Sequence, residues 1–195
     1  MEWFGPSAAD SPGESWTRRR LLVGAAQGVA GLLVFARSPR AESSPAASLP
    51  KAAQEALRAS PLVYISPLLA DGGESRCHGE VWYFVDAGSV VIITAADGWK
   101  ARAVRRGRGQ ARLWVGDFGP VGAAGDRFRA APSFEARAEI VSDPAVFGRL
   151  MAAFGKRYPE SWGKWKPRFE KGFAGGSRVM VRYSPVAGER VIDAG

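Results

Sequence analysis

"GEVWYFVDAGSVVIITAADGWKARAVRR" (79–106) decides how this chain is read. Two runs rich in β-branched and aromatic residues, 80–86 and 89–94, flank Ala87-Gly88, the pattern of two strands joined by a tight hairpin turn. The second strand ends at Thr94, and a turn, Ala95 to Gly98, leads into a short basic helix expected over 97–106 with Asp97 as its N-cap. Between Lys100 and Arg112 stand six basic residues and no acidic one. Lys100 falls in the first helical turn, where the helix dipole disfavours a cation. An anion docked between the lysine and the free amides of a helix start would explain it. A solvated basic face is the plainer explanation, and spacing alone does not separate the two.

Outward from this segment, the pattern is antiparallel. Strands are expected at 62–69, 110–118, 133–143 and 177–185 besides the central pair, six in all. A short helix is expected over 51–59, ended by Pro61, and a longer one after Asp143 as N-cap with Pro144 in the first position. The class is mainly β (α+β): a six-stranded antiparallel barrel with flanking helices.

The first forty residues read differently. Arg18-Arg19-Arg20 precede an apolar run at 21–36, followed by Arg37, Arg40 and small residues. This is the layout of an export signal, and the run is short for a membrane span. "TRRRLL" (17–22) resembles the twin-arginine signal of proteins exported already folded. The organisation expected is a signal peptide at 1–41, a linker at 42–54, the barrel at 55–187 and a tail at 188–195. The chain would then meet the twin-arginine export machinery and reside in the periplasm or outside a bacterial cell, with no stable membrane span once the signal is cleaved. Removing residues 1–41 takes away five basic and three acidic side chains, so a body that began at +8 keeps six more basic than acidic residues.

One Cys (Cys77) and one His (His78) exclude an internal disulfide, a Cys-rich metal site and a zinc triad of histidines. No metal site is expected. Cys77 and His78 are neighbours beside a strand and point to opposite faces, so they do not readily share a site. His78 is a candidate proton donor or haem ligand. Mixed charge elsewhere and the lack of a DNA-binding motif argue against nucleic acid as a partner. Glu135 and Glu139 share a strand face, but nothing near them would separate their pKa values into an acid and a base.

The order of elements over 55–185 resembles the pyridoxamine-5′-phosphate-oxidase-like split β-barrel family of flavin and deazaflavin enzymes. "SPLVYIS" (60–66), "GEVWYFVD" (79–86), "SVVIIT" (89–94), "TAADGWKARAVRR" (94–106) and "GKRYPESWGKW" (155–165) carry the resemblance. It implies a homodimer and a cofactor phosphate held by Thr94, Lys100 and the Arg102, Arg105 and Arg106 group, with Trp82 and Ile92 near the cofactor ring. It implies a flavin (FMN)- or deazaflavin (coenzyme F420)-dependent oxidoreductase that transfers hydride to or from a small-molecule substrate. Catalytic residues stay open. Gly98, Trp99 and Ala103 depart from the Ser, basic residue and Asn frequent in the family, which removes two side-chain phosphate donors. The alternatives are a non-enzymatic flavin- or haem-binding carrier or sensor on the same barrel, or a barrel with no cofactor.

Overall fold

The computed structural model describes residues 48–186; the signal, residues 42–47 of the linker and the tail lie outside the described residues. Among the described residues no helix is long and apolar enough to cross a membrane. Helix α1 (Lys51–Ala59) leads to strand β1 (Val63–Pro67). The segment singled out above forms β2 (Gly79–Val81), β3 (Phe84–Asp86), β4 (Ser89–Ala95) and helix α2 (Trp99–Arg105). Then come β5 (Gln110–Val115), a short helix α3 (Val121–Ala124), a 3-10 turn (Arg127–Ala130), β6 (Ser133–Val141), helices α4 (Pro144–Arg157) and α5 (Pro159–Ala174), and β7 (Arg178–Pro185).

The sheet has seven strands in the order β2-β1-β5-β6-β7-β4-β3, each pairing antiparallel. Six strands were expected, and the difference has a simple cause. The run 80–86 breaks at Trp82-Tyr83, so that β2 pairs with β1 at one edge of the sheet and β3 pairs with β4 at the other. One continuous stretch of chain thus supplies both edge strands. The sheet curls until its edges meet there, which leaves few unpaired backbone groups on show.

The break is pinned by side chains. At Tyr83 the backbone N–H donates to the Tyr158 hydroxyl at 3.2 Å, and that hydroxyl donates to Pro61 O at 2.8 Å. The Tyr83 hydroxyl donates towards Leu57 O at 2.8 Å and Ser60 O at 2.7 Å, and accepts from Arg157 Nη2 at 2.8 Å. Arg157 also donates to Leu57 O and Ser60 O. These bonds tie the end of α1 and the end of α4 to the one place where the ladder is interrupted. Burial pushes the Tyr83 phenol up to about 12, against the opposing pull of Arg157.

The hairpin turn forms where the sequence places it. Ala87 (φ 49°) and Gly88 (φ 77°) both adopt positive φ, the conformation a two-residue turn needs between right-twisted strands. The Asp143 carboxylate accepts from Ala145 N at 2.7 Å and caps α4, with Pro144 next. The barrel interior is filled by Val63, Ile65, Tyr83, Val90, Ile92, Leu113, Val181 and Tyr183. A second cluster lies between the sheet's outer face and the α4–α5 pair, built on Val91, Ile93, Leu150, Phe154, Phe169 and Met180. β4 therefore buries both faces, one into each cluster.

Candidate functional site

The strand-to-helix passage from β4 to α2 is the candidate cofactor-phosphate site. Thr94 lies in the ladder opposite Val179, one residue before β4 ends, and its hydroxyl makes no hydrogen bond among the described residues. The chain turns at Ala95–Gly98, where Ala96 N donates to Ser177 O at 2.9 Å and Gly98 N to Ala95 O at 3.0 Å. Gly98, not Asp97, is the N-cap, and no side chain caps the helix. The amides of Trp99, Lys100 and Ala101 occupy the first turn, where an α-helix supplies them no acceptor. A side chain at Gly98 would start 3.1 Å from Ala95 O and 3.7 Å from Thr94 Oγ1, so the glycine keeps the ground in front of these donors clear.

Lys100 turns back against β2. Its Nζ lies 4.1 Å from the centre of the Trp99 ring and 3.4 Å from where a Cβ on Gly79 would stand. Gly79 is buried and forms a flat floor under both residues. By surface area Lys100 is only half-buried, yet burial of its ammonium is the dominant influence and pushes its pKa down to about 8, with the charges of Glu80 and Cys77 pulling it back up. No salt bridge or hydrogen bond to Lys100 exists among the described residues, and Glu80 is otherwise engaged, accepting from Val121 N at 2.9 Å. An enclosed cation without an acceptor costs free energy that a bound anion would return.

The other expected residues divide. Arg102 Nη1 donates to Asp97 O at 2.6 Å, and Arg105 Nη1 donates to Ala96 O. Both arginines brace the turn and shape the site from behind. Arg106 is exposed. Trp82 and Ile92 lie elsewhere: Trp82 stacks on Tyr158 at 4.2 Å, with Phe154, Trp165 and Phe169 edge-on to it, and Ile92 is wholly enclosed in the barrel interior. The Ile92 side chain thus faces the core rather than a ring lying against the outside of the barrel. Sequence reasoning overlooked Gly79 and Glu80, the two residues that meet Lys100 from β2. The Gly directly before an apolar strand run was the available signal, since it marks a close approach.

The donor set fits a phosphate: a hydroxyl, a run of helix-start amides and an unpaired ammonium. The bed for a ring is not identified by Trp82 and Ile92. His78 sits beside this region with its ring 5.9 Å from that of Phe128, and its Nδ1 is buried without a partner. A cleft of about 520 Å³ lies apart, between α1 and the β3–β4 hairpin, and none of these residues lines it.

No family model matches the chain, and no curated protein matches it. Solved structures do. HutZ, the haem storage protein from Vibrio cholerae, is 14% identical, with 73% of this chain and 93% of that chain covered at a TM-score of 0.50. The conserved hypothetical protein Rv2991 from Mycobacterium tuberculosis is 23% identical over 75% of this chain and 85% of that one, with a TM-score of 0.48. A FAD-binding protein from Mesorhizobium loti is 13% identical over 68% and 86%, with a TM-score of 0.44. The curled antiparallel sheet closed by one broken run, together with the likeness to HutZ, identifies the fold of this chain as the split β-barrel, the fold of pyridoxamine-5′-phosphate-oxidase-like proteins.

Proposed function

We propose that the mature chain is an exported, homodimeric split-barrel protein that binds a phosphate-bearing redox cofactor, FMN or a deazaflavin, and serves hydride transfer to or from a small molecule. The observation that carries this reading is the Lys100 ammonium, enclosed against Gly79 and Trp99 with no acceptor of its own. Thr94 Oγ1 and the first amides of α2 donate to the phosphate, and Lys100 neutralises it. Arg102 and Arg105 hold the turn in shape. When bound, the cofactor supplies the hydride chemistry, and the chain supplies binding and orientation. Loss of the first-turn Ser and of a basic residue beside Lys100, replaced by Gly98 and Trp99, leaves a site that relies on backbone donors more than on side chains.

A carrier of flavin or haem on the same barrel is the second reading. The unpartnered Nδ1 of His78, next to the same β2 edge, favours it. Titration of FMN into the purified mature protein, followed by flavin fluorescence, tests the first reading. Micromolar binding that weakens tenfold or more in Lys100→Ala supports it; equal binding by both proteins, or none, overturns it. Haem uptake that disappears in His78→Ala moves the assignment to the carrier.

A further inference from the structure

Two arginines that the cofactor reading does not use meet over one indole ring. Arg178 opens β7 and lies opposite Ala95 in the ladder, one residue beyond Thr94. Arg168 comes from the middle of α5. Both guanidiniums lie over Trp165, Arg168 at 5.3 Å and Arg178 at 5.9 Å from the ring centre, and Arg178 also lies 5.3 Å from the centre of Phe169. The Arg178 stem runs close along α5: a Cβ on Gly172 would stand 2.8 Å from its Cγ and Cδ, so only glycine leaves room for it there. The Arg178 guanidinium is therefore fixed in place before any ligand arrives, which lowers the cost of binding one.

The two charges meet without a counterion. Neither arginine forms a salt bridge or a hydrogen bond among the described residues, and Glu170, two residues from Arg168 along α5, is held by Lys166. Arg178 is half-buried, and its pKa is lowered by burial first and by the charge of Arg168 second, with no carboxylate opposing them. Cation–π contact offsets part of this cost, about 0.5–2 kcal/mol for a ring. A ring face does not satisfy the five N–H donors that each guanidinium carries. Packing against Trp165 also needs only one cation; it does not account for a second, brought to the same ring from another element. Beside the pair, the partly exposed indoles of Trp165 and Trp82 meet edge to face with centres 6.1 Å apart.

We propose that Arg168 and Arg178 receive the carboxylate of a small aromatic acid, with the exposed parts of Trp165 and Trp82 flanking its ring. A carboxylate matches the planar fork of a guanidinium, and charge-assisted bonds of this kind are the strong ones. The indoles favour an aromatic body over a bare aliphatic acid. A bound carboxylate relieves the repulsion between the two arginines, which no neutral ligand does. The pair lies with α5 and the aromatic cluster on the outer face of the sheet, whereas Lys100 turns back against Trp99 and β2, so the two anion sites draw on different cations. Binding of the acid does not depend on the cofactor reading.

Titration of benzoate into the mature protein at constant ionic strength, followed by calorimetry and tryptophan fluorescence, tests the proposal in the wild type, Arg168→Gln, Arg178→Gln and Lys100→Ala. Benzoate should bind at millimolar concentration or below, and acetate at least tenfold more weakly. Binding should fall at least fivefold in Arg168→Gln and tenfold in Arg178→Gln, and persist in Lys100→Ala. Arg168 is exposed, so its replacement leaves the core intact and decides the matter if Arg178→Gln does not fold. No benzoate binding at millimolar concentration, binding that ignores Arg168→Gln, binding lost in Lys100→Ala, or acetate bound as tightly as benzoate overturns the proposal. Arg168-dependent benzoate binding in a protein that takes up no FMN would sink the cofactor reading above and leave this site standing.

Discussion

Replacing Lys100 by Met should make the ligand-free protein more stable while abolishing phosphate binding. The lysine carries a pKa lowered to about 8 by burial, against 10.5 in the open chain. Each unit is worth about 1.4 kcal/mol, so the full shift corresponds to about 3 kcal/mol of ionisation cost below pH 8. Part of the residue still reaches solvent, and its cation–π contact with Trp99 is lost in the variant, so the expected gain at pH 7 shrinks to about 1–2 kcal/mol. The pH dependence is distinctive. A lysine with a depressed folded pKa penalises the native state below that pKa, because the unfolded chain binds the proton more readily. The penalty fades as pH rises from about 8 towards 10.5, where both states carry a neutral amine. Urea denaturation at pH 7 and pH 9.5 should therefore show a stability gap between the two proteins that narrows by about half. Saturating phosphate ligand should close the gap from the other side by stabilising only the wild type. A variant less stable than the wild type at pH 7, or a gap that does not change with pH, refutes the claim that Lys100 is an enclosed and unpaired cation.

Three further outcomes follow from the geometry. Gly79→Val places a side chain into the space occupied by Lys100 Nζ and the edge of Trp99, so FMN affinity should drop at least tenfold while the circular dichroism spectrum is preserved. Tyr83→Phe removes the hydroxyl shared by Leu57, Ser60 and Arg157 and should cost about 1–2 kcal/mol in urea denaturation, with no cost showing that the broken strand is held by packing alone. The carboxyl of Asp86 is held below the usual range by the Arg149 hydrogen bonds, with Arg182 adding to the effect, so its contribution is present above about pH 4 and lost as pH falls through the lowered value. Asp86→Asn should accordingly flatten the acid limb of a stability–pH profile, and an unchanged limb would contradict that assignment.

Much of the fold is legible because local chemistry decides it. Ala87-Gly88 needed a tight turn and Asp143-Pro144 a helix start, and both residue pairs specify those conformations with little tertiary help. The break in 80–86 is not local. Nothing in that run separates β2 from β3; the division exists because β1 and β4 claim different halves of it, and Tyr158 and Arg157, far along the chain, satisfy the groups left over. The face that Ile92 takes is hidden in the sequence for a related reason. β4 is buried on both faces, so alternation in "SVVIIT" cannot say which residues face the interior. α5 continues through Pro167, and the aromatic packing of Trp162, Trp165 and Phe169 holds it in place. At the candidate site, charge count singles out the β4–α2 turn. Which cations are spent on backbone carbonyls, as Arg102 and Arg105 are, and which is left unpaired depends on side-chain directions that spacing does not encode.

The most direct measurement is the absorbance spectrum of the mature protein purified from its native host, with any bound small molecule identified by mass. A flavin or deazaflavin present at about one per chain, and missing from Lys100→Ala prepared in the same way, is the expected result. A colourless protein that takes up neither FMN nor a deazaflavin on titration would contradict it and leave the basic turn as a solvated face.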